Sequence, residues 1–158
     1  MTVASTVSQF LGDHSVNYRV IPHEHSATSR ETARKAGVRE DRVAKAILLK
    51  DDQGMLMCII PASNSLDMRA VHDETGRNHL EMVEEAEFRQ VFSDCEVGAL
   101  PPLGPAYGLT TLVDTGLDSR DTIYLESGDH EGLIAVDGRD FDQLLQNSRH
   151  CNLSRDWF

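Results

Sequence analysis

Cysteine is scarce and poorly placed for cross-linking. Cys58, Cys95 and Cys151 are odd in number, far apart and form no Cys-x-x-Cys pair, which leaves no basis for a disulfide framework or a thiolate zinc site. No run approaches the roughly 20 apolar residues that cross a bilayer. Met1 to Phe10 shows no basic start leading into an apolar stretch, so a soluble, cytoplasmic protein with no membrane partner is expected. Positive charge is short as well. Fifteen Lys and Arg face 26 Asp and Glu, a formal net charge of −11, too acidic to coat nucleic acid through its phosphates, and DNA is not an expected partner. Also missing are a Gly-x-Ser-x-Gly elbow, a Gly-x4-Gly-Lys phosphate loop, a dinucleotide fingerprint and a His-Glu-x-x-His pair, so the default is a site without a cofactor. There is no internal repeat or linker, and the 158 residues suit one domain, 1–158, around one core.

What is present is unevenly spread. All three lysines fall between residues 30 and 50 with Arg30, Arg34, Arg39 and Arg42, a local balance of +4 on a body that totals −15 elsewhere. Such a patch suits contact with one end of an anionic partner; a solvated helix face neutralised by acidic neighbours has the same composition. Within it, Val43 to Leu49 reads as a strand buried on both faces. The turn Asp51-Asp52-Gln53-Gly54 then delivers a second apolar run, Met55 to Ile60, making a hairpin. An unpaired ammonium in such a strand is costly to desolvate, so Lys45 needs an anion or a cavity. The plainer alternative packs its stem on Val43 or Ile47 and leaves its head in water or on an internal carboxylate.

Apolar spacing predicts a helix over Val3 to Leu11 and a strand over Tyr18 to Ile21. A short helix follows, capped by Thr28 or Ser29 and stopped at Gly37. Pro61 to Ser65 reads as a polar loop, Leu66 to Val71 as the start of a helix ended by Gly76, and Glu81 to Gln90 as a helix with Met82, Val83, Ala86 and Phe88 inward. Strands are expected at Leu109 to Asp114, Thr122 to Leu125 and Leu133 to Val136, then a helix from Asp137 or Gly138 through Leu145 and a polar tail with Trp157 and Phe158 folded back. The segment Gly98 to Pro105 is the most heavily punctuated. Its prolines fix φ and remove donors, so its exposed backbone can recognise a small polar group, although a tight strand crossover looks the same. His130 stands in a glycine-flanked turn, Gly128 to Gly132, exposed and able to donate or accept near neutral pH. His23 and His25 lack a third ligand nearby, and no metal site is expected.

In order, these pieces are a histidine-containing strand end, an alanine-rich helix, the Val-Ala-Lys-x-Ile-Leu-Leu-Lys strand and a hairpin partner ending near Pro61. A Leu-Asp helix, the Gly-x-x-x-Pro loop at Gly98 to Pro102 and a strand-Gly-x-His-x-Gly-strand segment complete the set. From about His23 to Leu145 the combination resembles the YbaK/prolyl-tRNA synthetase-associated editing-domain family, the aminoacyl-tRNA deacylases. The resemblance implies an α+β fold, a mixed, mostly antiparallel sheet or partial barrel flanked by helices. It also implies trans-editing: hydrolysis of the ester joining a wrongly attached small amino acid, such as Ala or Cys, to the 3′ terminal adenosine of a tRNA, commonly the proline tRNA. The tRNA acceptor end is then the partner, with prolyl-tRNA synthetase a second. Lys45 matches the family's essential lysine, which engages the terminal phosphate or sugar. Gly98 matches the glycine whose backbone fixes the aminoacyl group, and His130 falls near a histidine that shapes the pocket. Substrate contacts are expected from Ala99, Leu100, Pro101, Pro102, Gly128 and Arg42. Alanine after the lysine, and Leu100-Pro101 before Pro102, depart from the family's frequent threonine and small polar residue, which bears on amino-acid preference. An aminoacyl ester is already activated, so positioning and oxyanion donors suffice and no protein nucleophile is required. The alternative is a non-catalytic module that holds an aminoacyl or nucleotide ligand, or the tRNA 3′ end, in the same pocket.

Overall fold

The hairpin is the centre of the molecule. In the computed structural model, which describes residues 3–26, 28–96 and 99–156, β2 (Val43–Asp51) and β3 (Gly54–Pro61) pair antiparallel from Ala44 opposite Pro61 to Asp51 opposite Gly54. Alternate residues of this continuous apolar run feed different cores, as expected of strands covered on both faces. Ala44, Leu48, Met57 and Ile59 enter the larger core; Leu49, Leu56, Cys58 and Ile60 enter a second on the opposite face.

Other strands extend the hairpin on both sides. β7 (Thr122–Glu126) joins β2 in parallel, Val43 opposite Tyr124 and Ala44 opposite Leu125, and β8 (Gly132–Asp137) and β1 (Tyr18–Pro22) follow antiparallel. On the other side β6 (Thr110–Asp114) and β9 (Arg149–Cys151) add in parallel. The result is a large mixed sheet. Antiparallel pairings are the more numerous, but parallel ones flank the hairpin on both sides.

Helices cover this sheet. α1 (Ser5–Asp13), α4 (Glu85–Val91) and α5 (Gly138–Leu144) bring Val7, Leu11, Phe88, Phe92, Phe141 and Leu144 to the larger core. On the opposite face α3 (Met68–Thr75) packs Val71 on the second core, while α2 (Ser29–Ala36) packs Ala33 on a third, smaller group with Val43, Ala62 and Leu133. α2 and α3 start and stop where capping chemistry dictates. Thr28 accepts from the Glu31 N–H at 3.1 Å and Asp67 from the Arg69 N–H at 3.1 Å, while Gly37 and Gly76 terminate with φ of 72° and 69°.

Three expectations are corrected. Glu81 and Met82 are not helical: they form β5 (Glu81–Met82) against Lys50 and Leu49, and the helix begins at Glu85. β7 pairs with only the start of β2, so the backbone beyond needs another partner, and this pair of residues supplies it. Met82 is consequently 63% exposed and Ala86 is exposed too, whereas Phe88 is buried. The polar loop ends early, because β4 (Asn64–Leu66) pairs with β10 (Ser154–Asp156). The tail is thus two short strands that bury Cys151 and Leu153 between them. Trp157 and Phe158 lie outside the described residues. Among the described residues no helix is long and apolar enough to cross a membrane.

Candidate functional site

Lys45 emerges from β2 between two apolar clusters. Its neighbours on the same face are Val43, packed under α2, and Ile47, packed with the α3 cluster. The lysine therefore occupies the seam where neither helix covers the sheet fully, and it is half-buried. Its Nζ donates to the Asn64 carbonyl at 3.4 Å. Burial, and after it the Arg30 guanidinium, hold its pKa below the ordinary lysine value. A second cation facing the ammonium makes an anionic ligand favourable there.

Glu126 leaves β7 on that same face. It and Lys45 each follow the last registered pair, Ala44 and Leu125. Glu126 is 2% exposed, and neither carboxyl oxygen reaches hydrogen-bond geometry with any described group. Burial pushes its pKa up to about 7; the nearby Thr32 hydroxyl opposes the rise and Asp129 adds to it. Thr32, on α2, is in hydrogen-bond contact with the Ser26 hydroxyl.

Ser26 opens onto a cavity of about 640 Å³ whose wall also includes His25, Phe92, Cys95, Glu96 and His130. The His25 and His130 rings lie 5.4 Å apart, and His25 Nε2 is 3.3 Å from Glu96 Oε2. The turn after β7 shapes this wall. Asp129 Oδ1 accepts from the Ser127 hydroxyl and from the Glu131 N–H, both at 2.9 Å, and the Ser26 N–H donates to the His130 carbonyl at 3.2 Å. His130 is held at φ 61°, a left-handed conformation that non-glycine residues seldom adopt. It is only 5% exposed, contrary to the open position expected of a glycine-flanked turn, because these bonds fold the turn inward. Gly128, at φ 113°, lines an adjoining hollow with Asp94, Cys95 and Glu96; a Cβ there would lie 3.0 Å from Ala4.

The remaining expected site residues are spread out. Gly98 lies outside the described residues. Ala99, Leu100, Pro101 and Pro102 are buried instead of presenting exposed backbone, and they do not line the cavity. Arg42 sits at the start of β2, 3.2 Å from Asp41. The basic patch is internally balanced: Arg30 pairs with Glu40, Lys35 with Glu31 and Arg39 with Asp41. Exposed pairs of this kind are weak and open to competition from a phosphate. Ser26, Thr32, Glu96 and Glu126 carry no motif that marks them in the sequence. Cys95, also on the wall, has its thiol pushed up to about 12 by burial, which makes it a poor nucleophile.

A family model for the aminoacyl-tRNA editing domain matches residues 23–144, a span that begins with the segment leading to His25 and Ser26 and takes in Lys45, Glu126 and His130. The chain belongs to the aminoacyl-tRNA editing domain family. Solved structures share the editing-domain fold. The hypothetical protein APE2540 is similar with a TM-score of 0.82 and 20% identity, over 96% of this chain and 100% of that one. A candidate trans-editing enzyme for prolyl tRNA synthetase has a TM-score of 0.81 and 19% identity over 96% of each chain. A candidate signal transduction protein from Marinobacter aquaeolei VT8 has a TM-score of 0.77 and 25% identity over 96% of this chain, which spans 30% of that longer protein.

Proposed function

We propose that this editing domain is a trans-acting aminoacyl-tRNA deacylase, one domain over residues 1–158, that works in the cytoplasm on a small amino acid such as Ala or Cys carried by the proline tRNA. The observation that carries the reading is Lys45, an ammonium in the seam of an apolar sheet whose pKa is depressed by burial and by a second cation. That is a seat for the terminal phosphate or ribose of a charged acceptor end. The cavity walled by Ser26 and His130, which Lys45 does not line, has the volume of a small-molecule site, enough for an aminoacylated nucleoside.

The chemistry then follows from positioning. Lys45 anchors the acceptor end, the Gly98 backbone fixes the aminoacyl group, and the His130 turn walls the space beside the ester. Water attacks the carbonyl carbon, and the 3′-oxygen of the ribose departs. Ala99 to Pro102 support this reading as a rigid backing to the Gly98 loop, and Gly128 and Arg42 as rim positions toward the RNA. Prolyl-tRNA synthetase is the source of the mischarged substrate. The test is release of labelled amino acid from alanyl-, cysteinyl-, seryl- and prolyl-tRNA. Turnover of the first two above the last supports the proposal, and no turnover on any member sinks it.

A second reading has its own support. The same fold embedded in a longer signal transduction chain favours a non-catalytic module that holds an aminoacyl or nucleotide ligand or the tRNA 3′ end. Such a module would bind the panel without turning it over.

A further inference from the structure

Behind the Ser26 wall of the cavity lies a line of buried polar groups that the chemistry above leaves unused. Ser26 is 1% exposed and Thr32 fully buried, and their hydroxyls are in hydrogen-bond contact. Thr32, on α2, lies near enough to Glu126 to oppose the rise in its pKa, and the cross-strand partner of Glu126 on β8 is Leu133. An acid enclosed in this way, with neither oxygen in hydrogen-bond geometry, is a costly occupant of a position where an apolar side chain would pack. A polar route outward among the described residues, through Thr32 and Ser26, ends at the cavity.

We propose that Glu126 is the proton store of this cavity, exchanging a proton with it along the Thr32 and Ser26 hydroxyls. The inference rests on the editing reading. In the step, a cavity water gives a proton to Ser26 Oγ and the Ser26 proton moves to Thr32 Oγ1, whose hydroxyl turns onto the neighbouring acid and gives its own proton to a carboxylate oxygen of Glu126. The water oxygen bonds to the ester carbonyl carbon. When the tetrahedral intermediate collapses, the bond from that carbon to the ribose 3′-oxygen breaks and the proton returns along the same hydroxyls to the departing oxygen. Glu126 and both hydroxyls end as they began, and the products are the free amino acid and the 3′-hydroxyl end. Glu126 acts through its neighbours and is a positioning residue, not a catalytic one.

Of the charged groups, Asp129, on the turn that follows β7, acts on the carboxyl directly. Lys45 leaves the adjacent strand β2 on the same face with Arg30 of α2 acting on it, and His25 and His130 stand on the cavity wall with Ser26. Asp129 favours the protonated acid. Titration near 7 keeps both forms populated at neutral pH, which suits a group that must take up and return a proton in each cycle.

The experiment is the pH profile of kcat and KM for hydrolysis of the best substrate of the misacylated panel, with spontaneous hydrolysis subtracted. For the wild type, kcat should fall about tenfold per pH unit below 7. Glu126→Gln should lower kcat about 100-fold, leave KM within about twofold and remove that limb, and Glu126→Asp should recover part of the rate. Thr32→Val keeps the carboxyl and the shape but breaks the hydroxyl line, and should behave as Glu126→Gln does. A limb near 7 that survives Glu126→Gln at wild-type kcat belongs to the substrate's own α-ammonium and would overturn the proton store while leaving the editing reading intact. No hydrolysis by the wild type would overturn both.

Discussion

Glu126→Gln should stabilise the folded protein relative to the wild type as pH rises, and by a predictable amount. Glu126 titrates at about 7 in the folded protein against an ordinary glutamate value of 4.5, because burial disfavours its charged form. A folded pKa above the unfolded one means that the stabilising contribution is complete below about 4.5 and is lost as pH climbs through about 7. Between those limits the unfolded chain releases a proton that the folded protein retains. The span of about 2.5 pKa units at about 1.4 kcal/mol each makes the loss about 3 kcal/mol. Glu126→Gln removes the titration and keeps the shape. Any cost of burying its amide is an offset independent of pH. Urea unfolding of both proteins from pH 4.5 to 8.5 measures the effect as a difference, so that groups common to the two cancel. His150 is one of these: burial opposes it, but the Leu145 carbonyl and the Asp118 carboxylate raise its pKa. The stability of Glu126→Gln minus that of wild type should rise by about 3 kcal/mol across this range. A difference constant to within about 1 kcal/mol would mean that the carboxyl is solvated or paired, and the account of the buried cluster would fail.

Other perturbations test other parts of the site. Lys45→Ala should leave the far-ultraviolet circular dichroism and melting temperature close to wild type while lowering kcat/KM by about 2 to 5 kcal/mol of lost anchoring; wild-type turnover would refute the role given to the seam. Hydrolysis should weaken with added salt along a shallow slope, since an acceptor end offers few phosphates, and a steep slope measured as log kcat/KM against log salt would indicate contact with a long stretch of RNA instead. Gly128→Ala should destabilise the fold by about 1 to 2 kcal/mol in thermal unfolding, because the residue is left-handed and its new Cβ would press on Ala4 and Cys95. An unchanged melting temperature there would show that the turn relaxes freely.

The sequence makes the hairpin and the capped helices readable because their determinants are local. Val43 to Ile60 is apolar on both faces around a turn, and Thr28 with Gly37, and Asp67 with Gly76, mark helix ends by chemistry a few residues wide. β5, β9 and β10 are two or three residues long, too short for any period to register. Glu81-Met82 is a strand because distant β2 has backbone to satisfy, which nothing near residue 81 announces. Lys45 and His130 stand out in the sequence as residue types, but their surroundings do not. The Asp129-centred turn that buries His130 takes a partner from Ser26, about a hundred residues upstream.

Glu126 marks where periodicity misleads. Within Thr122–Glu126 the core positions are Ile123 and Leu125, so alternation assigns Thr122, Tyr124 and Glu126 to the other, solvent-like face. In this fold that face is not solvent. α2 crosses it with Ala33 and Thr32, closing over the end of β7 but leaving the seam at Lys45 open. α2 packs on the start of β2 and on β7 and β8, and the two charged residues that leave the sheet together at its margin meet different fates. The lysine keeps access to an outside anion, while the glutamate is sealed in, its charged form disfavoured. The bounds of α2, set by the Thr28 cap and the Gly37 stop, therefore bear on both the half-buried lysine and the buried acid on which the proposed chemistry depends.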